Sequence, residues 1–164
     1  MPGQTAATPR TRTREYHKQQ FLISTDPAKL DADSIHAFLS KEFWDSEGVP
    51  KEVVERSIRG SLCFGVYDGQ KQIGFARVVS DGATFAYLCD DYIVEDYRGK
   101  GLGKWLMECI LSHPDLQGLH RWVVVTRDIR LYTKVGFTPL KEPETYLEMV
   151  NPGPKPQSWG LEVG

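Results

Sequence analysis

The chain has 164 residues, 40% of them hydrophobic and 26% charged, and carries a formal net charge of −2. This length and balance suit one globular domain with one core, and they exclude the basic footprint of a nucleic-acid-binding domain. No stretch approaches the roughly 20 apolar residues of a membrane-spanning helix, and the first 18 residues lack the apolar centre of a signal peptide, so a cytoplasmic protein without a membrane partner is expected.

Residues 1–18 set Arg10, Arg12 and Arg14 among Thr, Pro, Gly and Ala. With so few apolar side chains they read as a disordered tail. A first strand is expected over 20–24, followed after Asp26-Pro27 by a helix over 31–41, where Leu30, Ile35, Phe38 and Leu39 recur at helical spacing. Pro50 suits the first turn of a second helix that Gly60 ends, with Val53, Val54, Ser57 and Ile58 on one face.

The apolar runs 62–67 and 72–80 flank Asp68-Gly69, a strong hairpin signal, and a second turn at Asp81-Gly82 leads into an aromatic and β-branched strand over 84–94. These three strands form an antiparallel meander. Leu102, Leu106, Met107, Ile110 and Leu111 then follow helical spacing until His113-Pro114. A strand over 121–126, reached through that helix, must lie parallel to its predecessor. A short helix over 128–135 and a closing strand over 137–149, interrupted by Pro139 and Pro143, complete the domain at 19–150, and the proline-rich 151–164 is a C-terminal tail. Cys63, Cys89 and Cys109 lie inside apolar runs without metal-ligand spacing and read as reduced, buried thiols. His36, His113 and His120 show no metal spacing either, and no metal is expected.

The chemistry concentrates in Arg98-Gly99-Lys100-Gly101-Leu102-Gly103, which sits between a strand and an amphipathic helix that starts with Lys104 near its head. Glycines let successive amides turn inward, and a helix N-terminus adds free N–H donors and the positive end of its dipole, so this loop can cradle a phosphate or pyrophosphate. It is not a P-loop, because Gly103-Lys104 is followed by Trp105, and not a dinucleotide fingerprint, because position 104 is Lys.

Arg98, Gly101 and Gly103 do match the acetyl-CoA signature of the GNAT N-acetyltransferase superfamily: Arg or Gln, two residues, Gly, one residue, then Gly or Ala. Tyr92-Ile93-Val94-Glu95-Asp96-Tyr97 resembles the strand end of that family, and Leu131-Tyr132-Thr133-Lys134-Val135-Gly136-Phe137 resembles its late helix motif. The resemblance implies an α/β fold with a mixed, mostly antiparallel sheet of about six strands and about four helices, splayed between the fourth and fifth strands. It also implies an acetyl-CoA-dependent transfer to a primary amine by direct attack. The amides of Arg98, Gly99, Lys100, Gly101, Leu102, Gly103 and Lys104 would hold the pyrophosphate, and the strand at Asp91, Tyr92 and Ile93 would pair with the pantetheine arm.

Tyr132 matches the family position whose phenol protonates the departing thiolate. Asp90 and Asp91, two carboxylates in an apolar strand, are candidates for the base or for an anchor of the substrate, with the choice between them open. Glu95 is expected to face solvent. Many family members carry Asn ahead of the tyrosine, whereas here the segment reads Thr126-Arg127-Asp128-Ile129-Arg130, and Thr126 or Asp128 stands in that place. Phe43 and Trp44, beside Asp45 and Glu47, are candidates for the acceptor site. The expected partners are acetyl-CoA and an amine, with the chain a monomer or homodimer. Two other readings remain open: a non-catalytic acyl-CoA-binding regulatory module, and a scaffold that recruits partners through Arg10 to Arg14.

Overall fold

The computed structural model describes residues 12–42 and 48–151. Its six strands are β1 (Glu15–Lys18), β2 (Phe21–Ser24), β3 (Leu62–Asp68), β4 (Lys71–Ser80), β5 (Phe85–Ile93) and β6 (Arg121–Val124). They lie side by side in chain order, every neighbour antiparallel except the β5/β6 pair. The helices are α1 (Ala32–Glu42), α2 (Lys51–Arg59), α3 (Leu102–Ser112) and α4 (Arg130–Lys134).

Turn chemistry builds the meander. Gly69 takes a φ of 59° between β3 and β4, and the Asp81 carboxylate accepts from the amides of Ala83 and Thr84 at 2.9 and 2.7 Å between β4 and β5. The connection from β5 to β6 instead passes through α3, and parallel pairing follows from that crossover.

The alternation of side chains along these strands divides the apolar residues into two cores. On one face Ile23, Phe64, Val66, Val78 and Leu88 pack with Leu102, Leu106 and Ile110 of α3 and with Tyr132 of α4. On the other, Phe75 and Tyr92 pack with Ile35 and Leu39 of α1 and Val54 of α2. Cys63, Cys89 and Cys109 are free thiols and buried, and burial pushes each of them up, Cys63 and Cys89 to about 12.

Two expectations are corrected. Residues 15–18 are a strand paired with β2, so the N-terminal tail cannot extend to residue 18. Their side chains are mostly exposed because β1 is an edge strand, which hides the apolar signal of a strand. At the other end, 137–149 forms no strand. Pro143–Thr145 is a single 3₁₀ turn, and the rest joins no ladder. The sixth strand of the sheet is therefore the N-terminal one.

Candidate active site

β5 and β6 are paired only from Phe85↔Arg121 to Leu88↔Val124. β5 runs on to Ile93 with β4 alone beside it, so the two parallel strands part beyond Leu88, between the fourth and fifth strands of the sequence reading. A cleft of about 1180 Å³ occupies this splay, and it reaches from Phe38 and Tyr92 through Asp91 and Tyr132 to the loop at Arg98 and Gly101.

At the loop end, Gly99 and Gly101 have φ of 76° and 79°. A Cβ added to either would meet nothing within 4 Å, so it is the left-handed backbone that calls for glycine, and open space lies in front of it. Gly101 caps α3, whose first amides have no carbonyl one turn earlier to bond. Arg98 is exposed, and its Nε donates to the Ile93 carbonyl at 2.9 Å, which ties the loop back to the end of β5. Lys104 pairs loosely with Glu108 at 3.9 Å, and Lys100 lies 5.5 Å from the Tyr97 ring centroid. Open αL glycines, free helix-head amides and three flanking cations fit a pyrophosphate. Gly74, across from Ile93, is needed for another reason: its Cβ would stand 2.8 Å from the Tyr92 carbonyl oxygen, so only glycine lets β4 close on β5 there.

The middle of the cleft is shaped by a bulge. Phe75 pairs with Tyr92 and Arg77 with Cys89, so Ala76 alone faces both Asp90 and Asp91. Asp90 absorbs the irregularity with a φ of 57°. The two carboxylates consequently have different partners. Asp90 Oδ2 accepts from Arg77 Nε at 2.8 Å, and the same guanidinium donates to Ser61 Oγ at 3.2 Å. Asp91 Oδ2 accepts from the Tyr132 hydroxyl. Burial holds the Asp91 carboxyl above its ordinary value, partly opposed by that hydrogen bond. Burial, and after it the Asp91 charge, hold the Tyr132 phenol well above the usual tyrosine range. Phe137 meets the Tyr132 ring edge-on, at 6.0 Å between centroids, and fixes its plane.

Asp128 starts α4 by accepting from the Arg130 amide at 3.1 Å, while Thr126 Oγ1 accepts from the Asp128 amide at 3.1 Å. The Arg130 guanidinium holds the Asp128 carboxyl down at about 2. Both Thr126 and Asp128 line the cleft, so the segment lacking Asn still presents polar groups there. Glu95 is exposed beside the loop. Phe43 and Trp44 lie outside the described residues, as do Asp45 and Glu47. His36 bonds the Val49 carbonyl through Nε2 at 2.6 Å, and His113 is fully buried, with burial holding it below its ordinary value.

Sequence reasoning overlooked Arg77 and the stack of Phe38 on Tyr92, at 3.7 Å between ring centroids and an 11° interplanar angle. Arg77 carried a signal, being a lone cation inside the apolar run Ile73-Gly74-Phe75-Ala76-Arg77-Val78-Val79. The stack carried none, because it joins α1 to β5 across more than fifty residues of chain.

Comparison with known proteins bears on the fold and the family. Residues 59–139 match the acetyltransferase (GNAT) domain family. FG08082 of Gibberella zeae, assigned as an acetyltransferase, is 31% identical over 140 residues, which cover 72% of this chain and 78% of that one. The structure of xcc2953 from Xanthomonas campestris pv. campestris, assigned to the GNAT family as an acetyltransferase, superposes with a TM-score of 0.78 at 42% identity, covering 85% of this chain and 99% of the other. A more distant Clostridium acetobutylicum structure, solved with acetyl-CoA, shares the fold at a TM-score of 0.56 and 14% identity, over 84% of this chain and 94% of that one. The chain belongs to the GNAT acetyltransferase family.

Proposed function

We propose that this protein is an acetyl-CoA-dependent N-acetyltransferase that acts on a primary amine by direct attack in a ternary complex. The observation that carries the reading is the joining of Asp91 and Tyr132 in the splay, inside the same cleft as the glycine loop. Acetyl-CoA, bound with its pyrophosphate on the amides from Arg98 to Lys104 and its pantetheine along β5 at Ile93, supplies an activated acetyl group and a thiol leaving group.

The protein's part is proton management. Asp91, with its raised proton affinity, accepts the proton that the amine loses as its nitrogen bonds to the acetyl carbon. Tyr132 keeps its proton at neutral pH and gives it to the sulfur as the carbon–sulfur bond breaks. Asp91 then returns its proton to the Tyr132 oxygen across the hydrogen bond they already share, so the pair ends as it began. An amide of the bulged Asp90–Asp91 stretch, displaced from the regular ladder, is the donor for the carbonyl oxygen as charge develops on it.

Thermal-shift titration with acetyl-CoA tests the cofactor, since ligand at about 100 times its Kd adds roughly 2.7 kcal/mol to stability. A shift is expected, and it should vanish in a folded Gly101→Glu variant. Thiol release across a panel of amines then tests turnover. No shift with acetyl-CoA, CoA or longer acyl-CoAs would overturn the reading, and binding without thiol release would leave a non-catalytic acyl-CoA-binding module.

A further inference from the structure

Helices α1 and α2 cover only one end of their face of the sheet, where Ile35, Leu39 and Val54 pack on Cys63, Phe75 and Tyr92. Toward the other end of β5 the same face carries a second apolar row. Val79 pairs with Tyr87 and Tyr87 with Val123, while Phe85 and Val125 follow at two-residue spacing, so alternation puts all five on the side of Cys63, Arg77 and Cys89. None of the five belongs to the core beneath α1 and α2. Val79, Phe85 and Val125 are 38%, 40% and 78% exposed, and Tyr87 and Val123 are half-buried. A contiguous apolar floor left this open marks a binding groove. Its far corner is Arg121, against which Tyr146 lies with the guanidinium 5.3 Å from the ring centroid. Its near end runs into the splay, because Tyr87, Cys89 and Val125 also line the cleft. The glycine loop and α3, with Leu102, Leu106 and Met107 in the cleft wall, occupy the opposite face, so the floor lies on the side that a bound acyl-CoA leaves open.

We infer, resting on the transferase reading above, that the acceptor is a monoamine with an apolar alkyl or aryl body, its nitrogen at Asp91 and its body laid along Tyr87, Val123 and Val125. Charge points the same way. Four carboxylates line the cleft: Glu42, Asp90, Asp91 and Asp128. Arg77 takes Asp90, Arg130 takes Asp128 and the Tyr132 hydroxyl takes Asp91, so among the described residues Glu42 alone is left without a bonded partner. A polyamine or an aminoglycoside brings several ammonium groups, each of which needs a carboxylate once its water is displaced, and the cleft has one to spare. An apolar body needs only area. From Cys89 to Phe85 the floor runs about 13 Å along β5, long enough to bury a chain well beyond the reacting nitrogen.

Saturation-transfer NMR on the full chain, with and without CoA, reads the binding of 2-phenylethylamine and hexylamine apart from turnover. Both should receive saturation, and spermidine at equal concentration should not displace them. Thiol release from acetyl-CoA gives a second reading. There kcat/KM should rise roughly fourfold for each buried methylene from ethylamine to hexylamine, and should be about tenfold or more lower for spermidine, kanamycin or a lysine peptide. Val123→Thr with Val125→Asn makes the floor polar at nearly constant size. It should lower kcat/KM for hexylamine about tenfold and for ethylamine by less than about threefold, with the acetyl-CoA thermal shift unchanged. Three results would each overturn the inference: no saturation transfer to either amine, a preference for spermidine, kanamycin or the peptide, or a double variant that treats hexylamine as wild type does. The last two can occur with thiol release intact, and then the transferase reading stands while this inference falls. Absence of the acetyl-CoA shift in the wild type overturns the transferase reading instead, and saturation transfer then decides this inference by itself.

Discussion

Asp90 and Asp91 are adjacent on one strand, yet their surroundings give them opposite uses. Asp90 sits in the left-handed region and is neutralised by Arg77 on the neighbouring strand. Asp91 is half-buried with no cation bonded to it among the described residues, and its partner is a hydroxyl. A carboxylate facing a guanidinium keeps its charge and holds two strands together, while one facing a phenol in a buried site is poised to exchange a proton. Identical side chains one residue apart are thus separated by the bulge opposite Ala76 into one that braces two strands and one that meets a hydroxyl in the cleft, which is the group we propose to move the proton.

Removing the proton donor should have the largest effect. Tyr132→Phe keeps the ring that packs on Phe137, so the fold should persist while kcat falls about 10²–10³-fold, measured as thiol release from acetyl-CoA with an accepted amine. A loss below tenfold would remove Tyr132 from the chemistry. Asp91→Asn should come next, with a fall of about 10²-fold and loss of the acidic limb in the pH profile of kcat/KM, because the limb follows deprotonation of that carboxylate.

The same variant separates the two carboxylates by stability. The folded-state pKa of Asp91 is raised above its ordinary 3.8, so its contribution is fully present below that value and is lost as pH rises through the folded pKa. Asp91→Asn should therefore melt no lower than wild type at neutral pH, with its relative advantage shrinking as the solution is acidified. Asp90→Asn should instead lose stability. It retains a side chain that tolerates a positive φ but loses the charge that Arg77 meets, and it should cost about 1–2 kcal/mol in denaturant melts with kcat changed less than tenfold. The smallest difference is expected between Asp90→Asn and Asp90→Gly, where relief of the left-handed backbone offsets the missing side chain to within about 1 kcal/mol.

Much of this architecture was legible in the residues themselves. The meander announced itself through Asp68-Gly69 and Asp81-Gly82, and α3 through the spacing of Leu102, Leu106 and Ile110, because turn chemistry and periodicity are local properties. Both ends of the chain were misread for a related reason. Glu15–Lys18 lacks alternation since an edge strand buries little, and 137–149 has strand composition but forms no ladder, a fact decided by tertiary geometry. In the site, the glycine loop could be read directly from its spacing. The division of labour between Asp90 and Asp91 could not, since it depends on a register shift and on Arg77 and Tyr132, 13 and 41 residues away.

The single parallel crossover also orders how the chain assembles. From β2 to β5 each strand pairs with its sequence neighbour, and short turns join β3 to β4 and β4 to β5, whereas α1 and α2 separate β2 from β3. The β3–β5 hairpins close short loops and can form early, whereas β6 must wait for α3 to fold and dock before its four pairs with β5 exist. The last seam to form is then the first to open, so the amides of β6 should exchange with solvent sooner than those of β4, measured by native-state hydrogen exchange. The β6 wall of the cleft is in this sense the least cooperative part of the sheet, so the fold is most easily parted beside the splay.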